Sequence, residues 1–132
     1  QAQQAISWLV RTQDKARCAD LEAVTRDPKK PHPWRGALLP FFVEKKCAAE
    51  TKQVATELLA SSWAEDRMDA CRALQGLGDK SQLAKMKRLA ETDPARSLER
   101  QGSGFWEYAF VTHPVREACQ GAINQLELRD SP

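Results

Sequence analysis

With 132 residues, 42% hydrophobic and 29% charged, the chain has the size and balance of a single globular domain, read as 1–132. Twenty basic residues against eighteen acidic ones leave a net charge of +2, which excludes a global electrostatic pull toward nucleic acid or a membrane surface. The longest apolar run, GALLPFFV at 36–43, is too short to cross a bilayer, so no membrane insertion is expected.

In chain order, apolar residues recur at helical spacing nearly throughout, and no alternating strand stands out. A short helix carrying Ala5, Ile6 and Leu9 precedes one carrying Cys18, Leu21 and Val24, which stops at Asp27-Pro28. The stretch DPKKPHPWRG, with Pro28, Pro31 and Pro33, cannot be helical throughout. Over 40–62, Pro40 suits a first helical turn, and Val43, Cys47, Val54 and Leu58 line one side. A helix over 65–77 holds Ala70, Cys71, Leu74 and Leu77 and ends at Gly78. Asp79 then starts another, with Gln82 at capping-box spacing. That helix buries Leu83, Met86, Leu89 and Ala90 and stops at Asp93-Pro94. The polar stretch DPARSLERQGSG reads as a loop, followed by FWEYAF, the densest aromatic cluster in the chain. Finally Val115, Ala118, Cys119, Ala122, Ile123 and Leu126 make one continuous helical face, with Pro114 in the first turn and Thr112 or His113 as cap.

Three short segments share an Ala-[Ile/Leu]-x-x-Leu core: AISWL at 5–9, ALQGL at 73–77 and AINQL at 122–126. The first two lead into Asp-Lys, an amphipathic helix and then Asp-Pro. The stretches DRMDACRALQGLGDKSQLAKMKRLAETDP and HPVREACQGAINQL resemble HEAT-like repeats, particularly the short type of phycobilisome lyases, over roughly half the chain. The copies begin at 5, 73 and 122, wider apart than a regular repeat, and residues 93–114 interrupt the array. The resemblance implies an all-α fold: a HEAT-like right-handed helical repeat, a short α-solenoid with one inserted loop. Each helical hairpin would bury its apolar face only by stacking on a neighbour.

Cys18, Cys47, Cys71 and Cys119 form no CxxC, CxxCH or Cys/His ligand spacing, so no metal site and no cofactor is expected. Two disulfides in an oxidising compartment and four buried thiols are the two open readings. The chain opens on Gln-Ala-Gln-Gln without a methionine, as a processed secreted protein or a trimmed one would. The expectation is therefore two disulfides in a periplasmic or secreted protein of the bacterial envelope. Cys18 and Cys47 flank the proline-rich turn, where an antiparallel hairpin brings them level. Cys71 and Cys119 fall on equivalent helices of the implied repeat units, which stack side by side.

Chemistry is hard to find. His32 and His113 each adjoin a proline with no second ligand or nucleophile, and GxSxG, HExxH, P-loop and GxGxxG motifs are absent. No catalytic residue, and so no enzyme, is expected. Glu65, Asp66 and Asp69 read as a solvated helix face. Lys85, Lys87, Arg88, Arg96 and Arg100 are interleaved with Glu91, Asp93 and Glu99, which speaks against nucleic acid. Trp34, Phe105, Trp106 and Tyr108, with Phe110 beside them, adjoin loops and are the candidate partner-binding residues. The competing reading folds them back over the ends of the core. The expected function is a non-enzymatic protein-protein interaction, scaffold or adaptor domain. A nucleic-acid-binding HEAT-like module and a lyase- or chaperone-like component are the alternatives.

Overall fold

The computed structural model describes Cys18 and residues 47–128. Helix α1 spans Ala48–Leu58, α2 Ala64–Leu77 and α3 Leu83–Thr92. Strand β1, Ser97–Gln101, and strand β2, Tyr108–Thr112, flank a 3-10 turn at Gly104–Trp106, and α4 spans Pro114–Leu128. The readings made for residues 1–17 and 19–46, including the proline-rich turn and Pro40, lie outside the described residues.

The all-α solenoid with an inserted loop is therefore not what this chain forms. Where a polar loop was expected, β1 and β2 pair antiparallel as a two-stranded sheet. The physical reason is that alternation appears in a sequence only when one face of a strand is buried. Here most of both faces is in water, so Ser-Leu-Glu-Arg-Gln carries no period of two.

The core belongs to the helices. Helix α4 packs against both α2 and α3, and α2 packs against α1. The expected stripe of α4 delivers Val115, Cys119, Ala122, Ile123 and Leu126 to this core. They meet Ala70, Cys71 and Leu74 of α2 and Met86 of α3, while Val54, Ala55 and Leu58 extend the cluster along α1. Alanines at 70 and 122 let the helix axes approach, and the longer side chains fill the space between.

Helix α2 ends as its glycine demands. Gly78 takes φ 68°, and its amide bonds Gln75 O while Asp79 N bonds Leu74 O, the paired bonds of a Schellman motif. Helix α3 starts three residues later than the capping box suggests, its N-cap at Gln82 instead of Asp79. The Oδ1 of Asp79 accepts the Ser81 amide at 2.8 Å, closing a local turn, and the amide of Leu83 bonds Lys80 O. That local bond engages Oδ1 in a non-helical conformation, so the box does not form, and the buried Oδ2 has Lys52 Nζ 3.8 Å away. Gln82 becomes the N-cap without a side-chain bond.

Two disulfides staple the chain in the expected pairing. Cys71–Cys119 joins α2 to α4 through Cα atoms 5.1 Å apart, and Cys18–Cys47 holds the residue before α1 with Cα atoms 5.8 Å apart. Among the described residues no cysteine is free and no helix is long and apolar enough to cross a membrane. The oxidised pairs fit an oxidising compartment.

Candidate protein-binding hairpin

The sheet is an arm between α3 and α4. Its register pairs Ser97 with Thr112, Leu98 with Val111, Glu99 with Phe110, Arg100 with Ala109 and Gln101 with Tyr108. Cross-strand partners share a face, so Leu98, Val111, Arg100 and Ala109 lie on one side. Glu99, Phe110, Gln101 and Tyr108 lie on the other. There the Tyr108 hydroxyl donates to Gln101 Oε1 at 2.8 Å, and the rings of Tyr108 and Phe110 are 5.9 Å apart. On the first side Arg100 faces Glu107 at 3.5 Å. Phe105 at the tip is fully exposed, and Trp106 beside it is 82% exposed. Leu98, Tyr108 and Val111 are more than half exposed. So much apolar surface on one small element is what an interaction site presents.

The root of the arm is tied down by charge. Asp93, the residue after α3, is 2% exposed. It accepts two bonds from Arg67 of α2, Nε–Oδ2 at 2.6 Å and Nη2–Oδ1 at 3.0 Å. Its Oδ1 also takes the Ala95 amide at 3.0 Å, and Arg116 of α4 donates to its backbone carbonyl at 2.8 Å. Burial by itself would raise the Asp93 pKa, but the Arg67 and Ala95 hydrogen bonds and the Arg67 and Arg116 charges outweigh it and hold it below the ordinary carboxylate value. One carboxylate thus fixes where the chain leaves α3 relative to α2 and α4.

The tip depends on glycine. Gly102 has φ 88°, and a Cβ there would collide with the Trp106 carbonyl, whose carbon would lie 2.8 Å away. Gly102→Ala is expected to cost about 1–3 kcal/mol locally, because the left-handed backbone and the collision act together. Amide exchange should quicken across 102–108 while the helices keep their protection. Unchanged exchange at the tip would show that the turn tolerates a side chain.

Other groups are less suited to a site. A shallow pocket of about 260 Å³ between α1 and α3 is lined by Thr56, Leu59, Ala60, Lys85, Arg88 and Leu89. Cys18, Cys47 and Glu50 lie close enough to suggest ligation, but both sulfurs are consumed in a disulfide. The acidic face of α2 is not simply solvated, as its sequence suggested. Asp66 is 1% exposed and accepts the Ser61 hydroxyl at 2.8 Å. Burial, helped by the charges of Asp66 and Glu65 and opposed by Arg72, raises the pKa of Asp69.

Of the candidate partner-binding residues, Phe105, Trp106 and Tyr108 come together on the hairpin, while Trp34 lies outside the described residues. Sequence reasoning overlooked Leu98 and Val111, whose pairing becomes visible only once the strands are recognised. The double glycine at 102 and 104 between them was the available signal. No family model matches the chain, and no curated protein or solved structure is similar to it.

Proposed function

We propose that the chain is a non-enzymatic protein-binding domain of the cell envelope, periplasmic or secreted, and that the 97–112 hairpin is its recognition element. The observation that carries this reading is the exposure of Phe105 and Trp106 at the end of an arm whose root is fixed by the buried Asp93. Large, rigid aromatics held away from the core lose little entropy on docking and bury much area, the properties of interface anchors. The two disulfides support an oxidising location.

Trp106→Ala is the direct test. Used as paired baits in the envelope fraction of the source organism, wild type should retain a protein that the variant loses. A central tryptophan contributes about 2 kcal/mol or more, roughly a thirtyfold change in affinity. Helicity and melting temperature should stay the same. A large drop in melting temperature would assign Trp106 to the fold instead, and equal retention by both baits would remove the hairpin from recognition.

A further inference from the structure

We propose that β2 is a docking edge for a second copy of the chain, two hairpins joining into a four-stranded antiparallel sheet in the order β1–β2–β2–β1. This rests on the reading of the hairpin as the recognition element and names a partner for it. A two-stranded sheet has two edges, each carrying a row of backbone groups able to pair with another strand.

The two edges differ in chemistry. Strand β1 reads Ser-Leu-Glu-Arg-Gln, and charges of this kind blunt an edge against pairing. Strand β2 reads Tyr-Ala-Phe-Val-Thr, with no charge, proline or glycine and with residue types that favour strands. Its Tyr108, Ala109 and Val111 are exposed, and Phe110 is half-buried.

Symmetry then selects a register. Two copies of a strand side by side and antiparallel are related by a two-fold axis normal to the sheet. Each face of one copy continues into the same face of the other, so the axis must pass through a residue rather than between two. For β1, an axis at Glu99 sets two carboxylates opposite each other, and one at Arg100 sets two guanidiniums opposite each other. For β2, an axis at Phe110 sets Phe110 opposite its counterpart, Tyr108 opposite Thr112 and Ala109 opposite Val111. One step further out it sets Glu107 opposite His113, an acid facing an imidazole at both ends of the pairing. Moving the axis to Val111 brings Pro114, which has no amide hydrogen, opposite Tyr108. Moving it to Ala109 places the Glu107 carboxylate opposite Val111.

The Phe110 register pairs aromatic with aromatic, small apolar with apolar, and acid with base. It also carries each exposed tip, Phe105 and Trp106, toward the first turn of α4 in the other copy. Their exposure in the single chain thereby acquires a purpose.

Ala109 and Val111 are exposed and belong to no part of the helical core, so charges there leave the body folded. Sedimentation of the full chain across concentration should show a monomer–dimer equilibrium. Ala109→Lys with Val111→Lys sets lysines opposite lysines, and the dissociation constant should rise by about tenfold or more. Ala109→Glu with Val111→Glu should weaken self-association likewise, and an equimolar mixture of the two variants should recover the dimer. Wild type that stays monomeric to about 1 mM overturns the proposal, as does a dimer indifferent to the lysines. Trp106-dependent capture of a different protein by a monomeric chain would overturn the self-pairing and leave the hairpin as a recognition element. A lysine-sensitive dimer that captures nothing else would support the self-pairing alone.

Discussion

Asp93→Ala is expected to lower the unfolding free energy by about 3–5 kcal/mol, because it strands the Arg67 guanidinium in a half-closed site without its counter-charge. The guanidinium side chain is 11% exposed and the carboxylate 1% exposed, so water replaces little of what the substitution removes. Arg67 would keep only its bond to Ser61 O at 2.9 Å. Chemical denaturation at neutral pH measures the loss, and a change under about 1 kcal/mol would mean that water re-enters and takes over the carboxylate's bonds. The same contact makes stability depend on pH. The folded-state pKa of Asp93 lies below its unfolded value, so its contribution is complete above the unfolded carboxylate pKa, about 3.9, and is lost as pH falls through the folded value. Asp79 acts in the same direction. Its burial opposes the shift, but the Ser81 amide and hydroxyl and the Lys52 charge prevail and lower its pKa. Asp69 runs against them. Its pKa is raised by burial, so acidification relieves an unfavourable charge there before it reaches the other two. Asp93→Asn should flatten the acid limb of the stability profile, and a limb as steep as wild type would assign acid unfolding to other groups.

Replacing Cys71 and Cys119 together by alanine is expected to cost about 4 kcal/mol in the chain-entropy account, since the bridge spans 48 residues. Both cysteines are fully buried between α2 and α4, so the lost sulfur volume adds to the effect. The Cys18–Cys47 bridge spans 29 residues, and its removal should cost slightly less. Non-reducing peptide mapping should recover the pairs 18–47 and 71–119. A Cys18–Cys71 link would show the pairing to be wrong, and four alkylatable thiols would overturn both the pairing and the oxidising location. A melting temperature unmoved by Cys71→Ala with Cys119→Ala would show that this bridge adds nothing to what the packed helices supply.

What could be read in advance follows burial. The face of α4 is plain from Val115 to Leu126 because the helix has one side buried against α2 and α3 and the other in water. The ends of α2 and α3 were plain because Gly78 and Pro94 act through the backbone itself. The start of α3 was misread since the Asp79 side chain can cap a helix or close a turn, and only the surrounding packing decides which. The strands were missed for a different reason. Val111 and Leu98 both point into solvent, and Glu99 lies opposite Phe110, so neither strand shows an inside and an outside. Phe105, Trp106 and Tyr108 were singled out by type and by their nearness to glycines, without any knowledge of the element that holds them. The sequence shows Asp93 as a helix stop before Pro94 and as one acid interleaved in a basic stretch, but not as an anchor, because its partners Arg67 and Arg116 lie 26 and 23 residues away.

The buried core is drawn from helices and the residues beside them, and no hairpin residue belongs to it. Substitution pressure on the two parts is therefore uncoupled. Mutations at Leu98, Phe105, Trp106 or Val111 alter what the arm can touch without opening a cavity in the body. Ser97 and Thr112 stand opposite each other at the junction, so an arm of another length or composition could be grafted there onto the same Asp93 anchorage. Lineages carrying this body would be free to diversify in binding preference while the bridge between α2 and α4 keeps the scaffold constant. Comparative sequences should then show the helices and Gly102 changing slowly, and the exposed Leu98, Phe105 and Trp106 changing faster.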